Sequence, residues 1–161
     1  IERLAAAGLR VWVSRIDTLA EAFAELRALF TDVLGWRVPG WLPDAEQAWA
    51  ARTPAGPDSP VVTLPIWRDP WMVGGGRTFT HDVLEHLGVR NAFGGLPRYP
   101  RVSLEEIRGV GGTVLLPDEP HPFTATEAEV DFPGATVRFV SGRLLMWYGP
   151  SLKEAARLHL A

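Results

Sequence analysis

The residues best equipped to recognise a ligand are large aromatics beside charge, and they fall in three short segments. Trp67, Arg68, Asp69, Trp71 and Met72 share one run broken only by Pro70. Tyr99 sits between Arg98 and Pro100, and Trp147-Tyr148 precede Gly149-Pro150. Aromatic faces supply apolar area and arginine supplies paired donors, so such segments suit a large, flat, partly anionic ligand. Rings of this kind also cap cores, and for any single ring both roles stay open.

Other chemistries are poorly supported. His81-Asp-Val-Leu-Glu-His86 puts His81 with Glu85, and Asp82 with His86, on shared helix faces. A zinc-protease helix needs two His at that spacing with the Glu between them, so a solvated polar face is the better reading. Gly74-Gly-Gly76 before a helix could offer backbone N–H groups to an anion, but the Lys of a Walker loop and the spaced glycines of a dinucleotide fingerprint are absent. No Gly-x-Ser-x-Gly elbow occurs. Asp118 and Glu119 follow a strand without a second catalytic feature.

These segments need elements to carry them. Residues 1–7 read as the end of a helix stopped by Gly8, and residues 9–13 as a short buried strand, the tail of a β-α-β crossover. Asp17 opens a helix running to Leu34, with Gly35 as its stop. A shorter helix follows Pro43 to about Arg52, and the Pro/Gly-rich stretch at 53–60 is a linker. Beyond it, strands at 61–67, 113–116 and 136–140 alternate with helices at 78–87, 103–109 and 151–160. Ser103 and Glu106 form a capping box. This alternation predicts a layered α/β fold with a largely parallel sheet. The strand ends then carry the aromatic loops, where ligands gather in open α/β sheets.

Composition narrows the function classes. The 161 residues carry a net charge of −3, with no cysteine, 7 Trp and 14 Pro. An acidic chain with scattered Arg and one lysine, Lys153, is not a general nucleic-acid binder. Without cysteine there is no disulfide, thiol nucleophile or thiolate metal site. No apolar run approaches the roughly 20 residues of a membrane-spanning helix, and no leader pattern is visible.

Several segments, in order, resemble the substrate-binding proteins of cobalamin and iron-siderophore ABC importers, the helical-backbone group with a cobalamin-binding (BtuF-like) branch. They are Pro65-Ile-Trp-Arg-Asp-Pro-Trp-Met72, Thr78-Phe-Thr-His-Asp-Val-Leu-Glu-His-Leu-Gly88, Asn91-Ala-Phe93, Arg98-Tyr-Pro-Arg-Val-Ser-Leu-Glu-Glu106, Leu115-Leu-Pro-Asp-Glu-Pro120 and Trp147-Tyr-Gly-Pro150. The resemblance implies two α/β lobes joined by a helical backbone, with ligand held between them. Residues 1–16 would be a remnant of the N-terminal lobe, 17–59 the helical backbone or linker, and 60–161 a layered α/β/α C-terminal lobe. Most of the N-terminal lobe would lie outside this sequence.

The resemblance also implies a non-enzymatic protein with no intrinsic cofactor and no protein metal site, the metal arriving inside its ligand, which would be cobalamin or an iron chelate such as a ferric siderophore or haem. Its location would be extracytoplasmic and its partner an ABC permease. Trp67, Arg68, Asp69, Trp71, Met72, Tyr99, Trp147 and Tyr148 would face the ligand, and Glu105 would dock on the permease. Departures from the family pattern are Gly109-Val-Gly-Gly112, where a Pro-Asp usually stands, and a short, Pro-interrupted backbone segment. Two alternatives stand beside this reading. One is an α/β enzyme using Asp118 and Glu119 with a phosphate on the Gly74–Gly76 loop. The other is an interaction domain that has lost its ligand and uses the aromatic surface for a partner or for self-association. In the main reading the chain is also expected to self-associate through its N-terminal segment, residues 1–34.

Overall fold

In the computed structural model, which describes residues 1–160, a parallel sheet is covered by helices on both faces. After α1 (Glu2–Ala6) come α2 (Leu19–Ala28), a π-helical turn (Leu29–Val33) and α3 (Trp41–Ala50). Then follow β1 (Val61–Thr63), β2 (Pro65–Trp67), β3 (Met72–Val73), α4 (Phe79–His86), β4 (Arg90–Asn91), α5 (Leu104–Val110) and β5 (Thr113–Pro117). The chain closes with α6 (Ala125–Asp131), β6 (Thr136–Val140), α7 (Gly142–Met146) and α8 (Leu152–Ala155). Ala161, the last residue of the expected C-terminal lobe, lies outside the described residues.

The main sheet has the order β4-β1-β5-β6 with every pair parallel, and β2 and β3 form a separate antiparallel ribbon. The crossover from β1 runs through α4 to β4 on one side. The crossover from β5 runs through α6 to β6 on the other. The connections therefore diverge between β1 and β5, and the edge beyond the C-terminal ends of those two strands is where an open α/β sheet has its ligand crevice.

β5 is buried on both faces, as a central parallel strand must be. Leu115 joins one cluster with Val62, Leu64, Val83, Leu84, Leu145 and Leu152. Val114 and Leu116 join the other with Phe93, Ile107, Phe123 and Phe132. The helices α2 and α3 enter the first cluster through Leu19, Ala22, Ala45 and Trp49. Trp49 Nε1 donates to the Leu152 carbonyl at 2.9 Å, and Asp82 accepts from the Leu19 amide at 2.7 Å. The polar face at 81–86 thus ties a helix end to the lobe, and among the described residues no group of three or more metal-ligating side chains assembles.

Several expectations need correction. Residues 9–13 form no strand and are exposed, with Trp12 at 47%. Among the described residues no strand lies beside them to complete a ladder, and an isolated strand has nothing to hold it. The strand expected at 61–67 divides at Leu64, because Pro65 has no N–H for a central ladder. The chain turns out of the sheet there and pairs with β3 instead. The helix expected to reach Leu34 ends in the π-helical turn, which brings Phe30 against Trp36 and Trp41 at 6.5 and 6.3 Å between ring centroids. The expected helix at 151–160 stops at Ala155, and the following turn carries Leu160 into the core at 2% exposure.

Candidate functional site

The β2–β3 ribbon rises from the C-terminal end of β1 and presents residues 67–71 at the crevice. Opposite it, the loop after β5 carries His121 and Phe123, and α6 follows. The ribbon and this loop meet through a chain of ring contacts. Trp67 meets His121 edge-on at 5.9 Å, and His121 meets Phe123 edge-on at 4.5 Å. Phe123 stacks on Trp71 at 5.9 Å, and Trp71 meets Phe132 edge-on at 5.6 Å. Trp67 remains 43% exposed, whereas Trp71 is half-buried. One ring is therefore free for a ligand and the other is partly committed to packing.

Charge fixes this arrangement. Arg68 Nε donates to Asp131 Oδ2 at 2.9 Å, and Asp131 is only 4% exposed at the end of α6. Nη1 of Arg68 lies 3.7 Å from Asp69 and 3.9 Å from Glu127. The guanidinium carbon sits 5.9 Å from the centre of the Trp71 ring, within range of a cation–π contact. Hydrogen bonding to Asp131, then its charge, keeps Arg68 still more firmly protonated than usual. Arg68 is thus a clamp between ribbon and helix as well as a charge at the crevice.

α6 owes its start to a capping box, in which the Thr124 side chain accepts from the Glu127 amide and Glu127 reaches back to the Thr124 amide. The Thr124 amide holds the Glu127 carboxyl below its usual range. Burial opposes this, while the Thr124 hydroxyl and His121 reinforce it. Asp69 and Arg98, in the left-handed region at φ 56° and 62°, lie in loops of this same edge.

The other expected residues lie around the cluster without ring contacts to it among the described residues. Tyr99 belongs to a strap along β3, where the Val73 and Gly75 amides donate to the Pro100 and Arg98 carbonyls and the Val102 amide to the Trp71 carbonyl. Its ring is 46% exposed, and Arg98 pairs with Asp17 at 2.8 Å. Met72 is half-buried and packs against the first core cluster. Tyr148 meets Phe79, the first residue of α4, at 5.5 Å, so it too lies at the C-terminal edge of the sheet. With Met146 and Trp147 it lines a shallow hollow of about 270 Å³. Glu105 is exposed in the first turn of α5.

The phosphate cradle considered at Gly74–Gly76 is overturned. The three amides donate to the carbonyls of Leu64, Arg98 and Leu96 at 2.9, 2.8 and 2.6 Å, leaving none for an anion. Gly75 and Gly76 admit the strap at 94–100 so closely that a Cβ would collide with its carbonyls. Asp118 is likewise engaged, accepting from the Gly142 amide at 2.7 Å.

Sequence reasoning passed over His121, Phe123, Glu127 and Asp131. The pattern Thr124-Ala-Thr-Glu127 was a legible capping box. The pairing of Arg68 with Asp131, 63 positions apart, left no local trace.

The chain matches no protein-family model and no curated protein. Its fold is nonetheless shared by solved structures. A periplasmic haem-binding protein from Pseudomonas aeruginosa superposes with a TM-score of 0.74 at 23% identity, covering 96% of this chain and 63% of that one. The periplasmic vitamin B12-binding protein BtuF of Vibrio cholerae gives 0.65 at 18% identity, covering 96% and 65%. A possible iron-binding periplasmic solute-binding protein from Staphylococcus epidermidis gives 0.70 at 16% identity, covering 97% and 67%. These are solute-binding proteins and not enzymes. The chain thus has the α/β fold of the periplasmic solute-binding proteins for haem, vitamin B12 and iron, over about two thirds of their length.

Proposed function

We propose that this chain is the ligand-binding part of an extracytoplasmic substrate-binding protein of an ABC importer, taking a metal chelate at the C-terminal edge of its sheet. The observation that carries the reading is the joined ring series Trp67–His121–Phe123–Trp71, with Arg68 clamped beside it, at the point where the strand connections diverge. A flat chelate with acidic substituents fits exposed ring faces and a fixed guanidinium. The structural neighbours, which include periplasmic proteins for haem, vitamin B12 and iron, support the same ligand class. Trp67, Arg68 and Trp71 are the principal contacts in this reading, with Tyr99, Trp147 and Tyr148 around them. Glu105 is the docking contact toward a permease.

Titration with hemin, aquocobalamin and a ferric hydroxamate, followed by tryptophan fluorescence, tests this. Saturable quenching by at least one chelate is expected. Linear, non-saturating attenuation with all of them would reject the reading.

A further inference from the structure

His121 occupies the middle of the aromatic series, and the reading above gives it no chemical task. Its Nε2 lies 3.3 Å from Glu127 Oε1. Glu127 is itself held in place, its other oxygen accepting from the Thr124 amide and hydroxyl at 2.8 and 2.9 Å. An ionised carboxylate can only accept, so the proton of the neutral imidazole resides on Nε2 and the lone pair on Nδ1. Among the described residues no hydrogen bond falls on Nδ1. The ring also makes T-shaped contacts with Trp67 and Phe123.

A histidine whose one nitrogen donates to a carboxylate while the other is free has the arrangement of a metal-ligating imidazole. No group of three or more side chains able to hold an ion exists among the described residues, so this is not a site for a bare cation. One imidazole can instead complete the coordination of a metal whose other positions are already filled.

We propose that His121 coordinates, through Nδ1, the axial position of the metal in a planar macrocyclic chelate, with Glu127 as the positioning residue. The bond forms as the Nδ1 lone pair displaces an axial water, without transfer of a proton or an electron. The proposal rests on the chelate-binding reading and narrows it. A haem or corrinoid offers an exchangeable axial position, whereas a hexadentate siderophore complex does not.

The test titrates hemin, aquocobalamin and metal-free protoporphyrin IX into the chain and into His121→Ala, recording fluorescence quenching and the visible spectrum. With the unaltered chain, hemin or aquocobalamin should acquire the absorption spectrum of an imidazole-ligated metal, and the responding chelate identifies the macrocycle. In His121→Ala that spectrum should vanish and return on adding free imidazole. Affinity for the metal chelate should fall more than about tenfold, and Glu127→Gln should lose about tenfold, the range for a ligand's supporting partner. Protoporphyrin IX, having no metal to ligate, should bind both chains equally, which also reports that the variant is folded. Saturable quenching with the same spectrum and affinity in both chains would overturn the role of His121 and leave the chelate reading standing. No saturable binding of any of the three would overturn the role of His121, and loss of the ferric hydroxamate as well would reject the broader reading.

Discussion

The two ends of the sheet differ in a way that volume alone would misjudge. One large hollow, about 470 Å³, lies at the N-terminal ends of β5 and β6 and is lined by Ile107, Val114, Phe132 and the backbone of Gly111, Gly112 and Gly134. Its one guanidinium, Arg108, donates to the carbonyls of Asp131 and Val130 and so serves the fold. The C-terminal end has smaller hollows but gathers the aromatic series, the Arg68 clamp and His121. A binding site needs a few fixed polar groups among apolar surface, and only the second end provides them. Phe132 touches both ends, lining the hollow while its ring meets Trp71.

The largest expected effect comes from removing the clamp. Asp131→Ala would leave Arg68 facing Trp71 without its buried carboxylate. Losing one partner of a fully buried pair costs about 3–5 kcal/mol. Arg68 is 32% exposed and water recovers much of that, so the loss of stability should be smaller than for a fully buried pair but larger than for an exposed one, with chelate affinity lost alongside it. Arg108→Ala at the other end breaks bonds to carbonyls near solvent and should cost about 1 kcal/mol while leaving affinity alone. Urea unfolding of both variants makes the comparison, and equal losses would show that the clamp is an ordinary surface pair.

Trp71→Ala comes next. As an anchor at a binding surface it should weaken chelate binding by about 1–3 kcal/mol, read by titration with hemin. An unchanged affinity in a variant that keeps its folded spectrum would make Trp71 a core residue only, and would leave Trp67 as the exposed ring that matters.

How far the sequence foretold these two ends follows from the range of the interactions. Strands at 113–116 and 136–140 were legible because their apolar runs need only local chemistry, and Ser103 announced α5 through Glu106 three positions on. The break at Leu64 was missed although Pro65 marked it. The pairing of residues 65–67 with 72–73 becomes evident only when the ribbon is folded. Residues 9–13 misled for the converse reason, since β-forming side chains do not make a strand without a neighbour. In the site, Trp67, Arg68 and Trp71 were found by type. Their partners Asp131 and His121 lie more than 50 positions away, and packing rather than pattern brings them together.

Acid should separate the two ends by a smaller margin. Glu106 caps α5, which runs toward the large hollow, and its carboxyl is held below the usual range by the Ser103 amide and then its hydroxyl. Glu127 caps α6 and is lowered chiefly by the Thr124 amide, but it also accepts from His121 and faces Arg68. For a carboxyl whose folded pKa is depressed, the unfolded chain binds the proton first. Its stabilisation is present above the ordinary carboxylate pKa and is lost as pH falls through the lower folded value. Stability should therefore decline as pH drops below about 4.3. Glu106→Gln and Glu127→Gln should each flatten part of that decline. Only Glu127→Gln should also change the site, because it replaces the negative charge beside His121 and Arg68 with a neutral amide that can accept or donate. Chelate affinity of both variants at neutral pH, beside urea midpoints down the acid range, checks this. A loss of affinity as large in Glu106→Gln as in Glu127→Gln would mean that the substitutions act on the whole fold and not on the ring-bearing end.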